Sequence, residues 1–108
     1  MAEAFDAVVI EKADRKITAA HKKICLEDLP PEDVTISVAY STLNYKDGLA
    51  LTGTAPIART YPMIGGIDVA GTVESSESPD YRWGDRVFVN GWGLSMTHGG
   101  GYAQKQRV

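Results

Sequence analysis

The sequence predicts a mainly β domain of short strands with one small helix, and three observations point there. Eleven Gly and five Pro break up 108 residues, a density of turn formers that suits a β fold better than a helical one. Val34, Ile36, Val38 and Tyr40 alternate with Thr35, Ser37, Ala39 and Ser41, the period-2 pattern of a strand with one apolar face. Only one stretch, beginning at Asn44, reads as helix. The length suits one domain with a core of its own. No repeat, linker or low-complexity segment divides it.

Taken in order, residues 5–10 form a β-branched run and 17–21 a second extended segment, with the polar residues 13–16 between them as a hairpin turn. Leu29-Pro30-Pro31-Glu32-Asp33 is a breaker, because proline lacks a donor and restricts its predecessor. The alternating strand at 34–41 follows. At Asn44 the period changes: an N-cap side chain stands three residues before the carboxylate of Asp47, a variant of the capping box. Leu49 and Leu51 continue the helix and Gly53 ends it. Gly48 weakens it by about 1 kcal/mol relative to alanine.

Residues 54–62 read as a loop fixed by Pro56 and Pro62, and 67–73 as a buried strand carrying one carboxylate, Asp68. A polar turn at 75–79, a short strand at 87–89, a glycine-rich loop at 91–101 and an extended end at 102–108 complete the chain. About five to seven short strands and a small helix describe a partly open, barrel-like domain.

Composition excludes several functions. Eleven Lys and Arg against fourteen Asp and Glu give a net charge of −3, contrary to a nucleic-acid binder that works by neutralising phosphates. The single cysteine, Cys25, allows no internal disulfide, which points to a reducing compartment. Between Ile24 and Leu26 it reads as an inert core or edge residue. His21 and His98 have no Cys or His cluster around them, so a zinc site lacks ligands. No apolar run is long enough to span a membrane or to serve as a signal peptide. A soluble, cytoplasmic protein is expected.

Three features could carry chemistry. Gly99-Gly100-Gly101 follows a strand but precedes no helix, so it lacks the dipole and free N–H groups of a phosphate loop. It reads as backbone that comes close to something. The transition Ser41-Thr42-Leu43-Asn44-Tyr45-Lys46-Asp47-Gly48 places polar and aromatic groups at a helix start. Its local reading is capping by Asn44 and Asp47 with Tyr45 packed; its functional reading is a cleft lip. Asp68, in an apolar strand, needs a partner, and hydrogen bonds from nearby backbone donors are the expected one.

The order of motifs adds more. Asn44-Tyr45-Lys46-Asp47, then Gly66-Ile67-Asp68-Val69-Ala70-Gly71-Thr72-Val73, then Trp83-Gly84-Asp85-Arg86-Val87 resembles the N-terminal, GroES-like domain of the medium-chain dehydrogenase/reductase superfamily. With Tyr61-Pro62-Met63-Ile64, Gly91-Trp92-Gly93-Leu94 and Thr97-His98, the chain is similar to the zinc-free quinone oxidoreductase branch typified by acrylyl-CoA reductases. The resemblance covers residues 1–108 as one GroES-like domain. It implies NADPH as cofactor and no zinc, since Asn44 and Asp68 stand where zinc-dependent relatives carry a cysteine and a His-Glu pair. It implies reduction of the C=C bond of an enoyl thioester or a quinone, with hydride delivered to the β-carbon and a proton to the α-carbon.

By the same resemblance, Tyr45 is the residue catalysis depends on, lying against NADPH near its nicotinamide end, and Asn44 shapes that wall. Arg59 is a candidate for a substrate phosphate or carboxylate, while Lys46 and Asp47 hold the turn together. The chain departs from the pattern at Gly65, where proline is common, and at Gly99, where an aromatic is common. The Rossmann half of such an enzyme does not follow, so the chain reads as a truncated fragment, inactive alone, of a parent for which a homodimer is one expectation. The alternative is a stand-alone GroES-like module that binds or assembles without catalysis.

Overall fold

β1 (Phe5–Ala13) and β2 (Lys16–Ile24) form an antiparallel hairpin in the computed structural model, which describes residues 4–108. Pairing runs from Phe5 opposite Ile24 to Ala13 opposite Lys16, so both strands outlast the apolar runs that predict them. The turn is narrower than expected: Asp14 and Arg15 alone form the tip, with φ of 50° and 66°. A two-residue hairpin loop whose twist matches its strands requires such left-handed angles at both positions. β1 is the central strand of its sheet, flanked by β2 and by a two-residue strand, β4 (Met63–Ile64), that the sequence pattern does not reveal. Its two faces serve different cores. Phe5, Ala7 and Val9 pack with Leu29, Ile64 and Ala103, whereas Ile10 packs with Ala50, Ala58 and Met63.

After a 3-10 turn at Leu26–Asp28, entered from a half-buried Cys25, the chain forms β3 (Val34–Tyr40). β3 lies inside a second sheet of order β6-β5-β3-β7, with β5 spanning Asp68–Ser76, β6 Arg86–Asn90 and β7 Lys105–Arg107. Val34, Ile36, Val69, Val73 and Leu94 form its core. The predicted alternation of β3 holds only in part. Register shifts against β5 fall between Thr35 and Ile36 and between Val38 and Tyr40, and a one-residue slip turns a side chain to the other face. Thr35 is accordingly buried and Tyr40 is 76% exposed, the reverse of the expected faces. Pairing of Ser75 and Ser76 with Thr35 and Val34 also draws the predicted turn at 75–79 into β5.

The two sheets are open and do not close into a barrel wall; one late segment stitches them together. Val8 N–H donates to the Tyr102 carbonyl (2.7 Å), Gln104 N–H to the Asp6 carbonyl (2.9 Å) and Val38 N–H to the Gln104 carbonyl (2.8 Å). The chain from Tyr102 onward thus pairs with β1 through an Ala7–Ala103 bridge and then joins β3 as β7. The helix α1 (Tyr45–Thr52) begins and ends where expected, with Gly53 at φ 71° as its left-handed C-cap. Among the described residues no helix is long and apolar enough to cross a membrane.

The glycine-rich loop comes close to the chain's own backbone. Gly100 N–H donates to the Ile64 carbonyl (2.8 Å), Gly101 N–H to the Gly66 carbonyl and Tyr102 N–H to the Gly65 carbonyl (both 2.9 Å). Two glycine segments therefore meet main chain to main chain, which answers what the loop approaches. Gln106, fully buried, donates from Nε2 to the Gly100 carbonyl (2.6 Å). A Cβ at Gly99 would lie 3.0 Å from that same nitrogen, so this glutamine occupies the space an aromatic at position 99 would take.

Candidate functional site

Between the end of β3 and the start of α1 the chain crosses the ends of β5 and the glycine loop, and hydrogen bonds fix it there. Ser41 Oγ donates to the Asp68 carbonyl (2.7 Å), and the Tyr102 hydroxyl donates to the Thr42 carbonyl (2.6 Å). Thr42 Oγ1 donates to Asp68 Oδ2 (2.5 Å). The Asn44 side-chain nitrogen faces Thr42 Oγ1 (2.7 Å), Asp68 Oδ2 (3.1 Å) and, more distantly, Asp47 Oδ2 (3.4 Å). Asp68 therefore takes side-chain donors, Thr42 and Asn44, and not the backbone donors expected of it. The reason is position: it is half-buried at the first residue of β5, within reach of the crossing segment.

The deeper carboxylate is Asp47, which is 0% exposed. Its Oδ2 accepts the Asn44 backbone N–H (3.0 Å), the carboxylate half of the capping box, and its Oδ1 accepts the Ile67 N–H (3.0 Å). One buried side chain thus ties the start of α1 to the start of β5. Lys46 behaves differently from the expectation that it holds this turn. Its Nζ reaches across to Met96 Sδ at 3.0 Å.

The result is a rigid lip that displays two side chains. Leu43 is 79% exposed and Tyr45 84% exposed, so Tyr45 does not pack as the local reading of the motif expects. Asn44 is beside it, engaged as described. Arg59 is exposed and lies in a different segment, its N–H donating to the Met96 carbonyl (2.8 Å). The structure brings Asn44 and Tyr45 together and gives Arg59 no hydrogen bond or ion pair to them among the described residues. His98, from the Thr97-His98 motif, is turned elsewhere: its Nδ1 lies 2.7 Å from the Gly99 carbonyl and its Nε2 3.5 Å from Glu32.

Tyr102 is the residue that the motifs overlook. Burial and the nearby Asp47 and Asp68 carboxylates push its phenol up from 10.0 to about 12, because a neutral hydroxyl avoids both desolvation and like-charge repulsion. It stays a donor across physiological pH, so its contribution to stability is fully present below pH 10 and is lost as pH rises through about 12. Tyr102 is expected to form its phenolate late, as pH approaches about 12, in an ultraviolet titration, and Tyr102→Phe is expected to abolish that late step. A late step that persists in Tyr102→Phe would assign it to another tyrosine.

Chemically the lip offers shape, an aromatic face and fixed dipoles. An open apolar groove of about 520 Å³, bordered by Val34, Ile36, Tyr81, Phe88, Trp92 and Val108, includes none of Asn44, Tyr45 or Arg59. It has no convergent set of polar groups of the kind that orients a substrate.

Comparison with known proteins decides the family. The model of the alcohol dehydrogenase GroES-like domain matches residues 30–108. The chain belongs to that family. This GroES-like domain is 46% identical over 106 residues to an acrylyl-CoA reductase from Ruegeria pomeroyi, covering 96% of the chain and 32% of that protein. It is 43% identical over 108 residues to a putative quinone oxidoreductase from Bacillus subtilis, covering 100% of the chain and 33% of that protein. It superimposes with a TM-score of 0.92 on the yhdH oxidoreductase of Salmonella enterica solved in complex with NADP, at 46% identity, covering 95% of the chain and 32% of that one. The chain spans about a third of the length of the curated relatives it matches.

Proposed function

We propose that this domain forms one wall of the active site of an NADPH-dependent reductase acting on the C=C bond of an enoyl thioester of the acrylyl-CoA kind, or on a quinone. The observation that carries the reading is Tyr45, 84% exposed on a segment otherwise fixed by hydrogen bonds. A large aromatic displayed by a rigid support and unpacked by its own domain is suited to a flat partner. It is paired with 46% identity to an acrylyl-CoA reductase.

The residues present fit a nicotinamide dinucleotide on this lip. Tyr45 would hold its ring face, with Leu43 beside it, and Asn44, clamped by Thr42 and Asp68, would keep that wall in place. Bound there, NADPH supplies hydride to the substrate. The chain's own residues orient, exclude water along the aromatic face and keep the Tyr102 proton where it is; fixed positioning of this kind lowers a barrier by removing the entropy of encounter. Arg59 would meet an anionic group of the substrate. Zinc independence is supported by the donor chemistry, since an amide and a carboxylate hydrogen-bonded to each other (3.1 Å) stand where the resemblance puts a thiolate-led ligand set. Function in a reducing compartment such as the cytoplasm agrees with the one free cysteine.

The test replaces the matching third of the Ruegeria pomeroyi acrylyl-CoA reductase with residues 1–108 and measures NADPH-dependent reduction of acrylyl-CoA. Tyr45→Ala is expected to raise the KM for NADPH about tenfold, the equivalent of about 1.4 kcal/mol, while Tyr45→Phe keeps most of the affinity. Unchanged kinetics in Tyr45→Ala would remove Tyr45 from the site.

A further inference from the structure

We propose that Lys46, whose ammonium lies at the Met96 sulfur, and Arg59, whose backbone is bonded to Met96, form a binding site for a phosphate or diphosphate group beside the Tyr45 lip. The inference deepens the reading above and rests on it for the identity of the molecule that carries the phosphate.

Two lysines of the structure are half-buried, Lys46 and Lys105. Lys105 is satisfied in the ordinary way, its Nζ 2.9 Å from Glu74 Oε2. Among the described residues Lys46 has only the Met96 thioether, at 3.0 Å. A thioether is a weak acceptor, so a partly desolvated ammonium is left without a counter-charge, and such a group has a standing preference for an anion. Among the described residues the ion pairs involve His21, Lys22, Lys23, His98 and Lys105, and none involves Lys46 or Arg59.

Position strengthens the case. Lys46 stands in the first turn of α1, where the helix dipole disfavours a cation. It is therefore poorly explained as a device for helix stability. Met96 is what joins it to Arg59: its sulfur touches Lys46 Nζ, and its carbonyl accepts the Arg59 N–H at 2.8 Å. Two segments far apart in sequence thus bring the Lys46 ammonium and the Arg59 backbone to the same residue, with the Arg59 side chain exposed and Lys46 next in sequence to Tyr45. Two cations match the double negative charge of a phosphate better than the single charge of a carboxylate, and the guanidinium fork suits phosphate oxygens.

The experiment titrates the full chain with pyrophosphate and follows backbone amides by nitrogen-edited NMR. Shifts are expected at Lys46, Arg59 and Met96. Lys46→Met and Arg59→Gln are each expected to weaken the apparent affinity about fivefold or more, and Lys46→Arg to retain it. Shifts centred on the hairpin cations Lys12, Arg15 and Lys16, an affinity unmoved in both variants, or no binding at all would overturn the proposal. Parallel titrations with coenzyme A and with NADPH separate substrate phosphate from cofactor phosphate. Pyrophosphate binding at the pair with neither larger molecule bound would leave the site standing and count against the reductase reading.

Discussion

Asp47→Ala is expected to destabilise the domain by about 3–4 kcal/mol, because it removes a buried acceptor shared by two backbone donors. The carboxylate is fully buried and accepts the N–H groups of Asn44 and Ile67, with the Asn44 amide nearby. Alanine leaves both N–H groups without their acceptor, and it also opens a small void. In a urea titration the midpoint should fall by roughly 2 M with a nearly unchanged slope. Asp47→Asn keeps the shape but presents an N–H₂ to one of two donors, so an intermediate loss is expected. Were the midpoint of Asp47→Ala to match the parent, the carboxylate would not be holding α1 to β5. Tyr102 offers an independent reading of the same event, since loss of Asp47 removes one of the charges that raise its pKa, and its titration should move toward 10.

Gly100→Ala and Gly48→Ala make the same chemical change and are expected to act with opposite signs. A Cβ on Gly100 would lie 2.1 Å from the Gly66 carbonyl oxygen and 2.4 Å from that of Gly65. Both obstacles are backbone, so no rotamer change relieves them, and the two glycine segments must separate. A loss of about 3 kcal/mol or more is expected. At Gly48 nothing lies within 4 Å of the added carbon. The position is helical, so alanine should add up to about 1 kcal/mol by its propensity alone. Denaturant titrations of the two variants check both signs at once. A tolerated Gly100→Ala would mean that the loop has another route past β4, and a destabilising Gly48→Ala would mean that α1 needs the conformational freedom of glycine.

Legibility followed the range of the interaction. The α1 helix reads directly because carboxylate and stop are local, although the Asn44 side chain makes no capping bond and turns to Thr42 and Asp68 instead. The first hairpin reads through its β-branched run and polar turn, β3 through its alternation, and the stitching end at 102–108 through its extended character. The slips within β3 do not read, because a bulge is set by the partner strand and leaves the local pattern intact. β4 is hidden for the same reason: two residues carry no period, and only the neighbouring β1 makes them a strand.

Burial of charge was the least legible property. Asp68 looks buried because apolar residues surround it in sequence, whereas the fully buried carboxylate is Asp47, set between Lys46 and Gly48. Asp47 accepts the Ile67 amide, which arrives from a distant segment that the local pattern does not reveal. Gln106 was concealed likewise, a polar residue in a polar run whose side chain turns inward to the Gly100 carbonyl. At the lip, the motif located Asn44 and Tyr45, but the segment that displays Tyr45 is fixed by a bond from Tyr102 and by one that Asp68 accepts from Asn44, which no local pattern encodes.

The segment from Tyr102 to Arg107 also sets an order in time. Its partners are β1, at the opposite end of the chain, and β3 in the first half. Pairings between such distant stretches must close large loops before any contact rewards them, and they slow the search for the native state. During synthesis the hairpin of β1 and β2 can form early, yet one side of β1 has to wait for residues that lie far later in the sequence. Until then the strand edge that later receives Ala103 stays open to any other chain that offers a backbone. The stitch that organises the finished domain is, for a nascent one, its period of greatest exposure to mispairing.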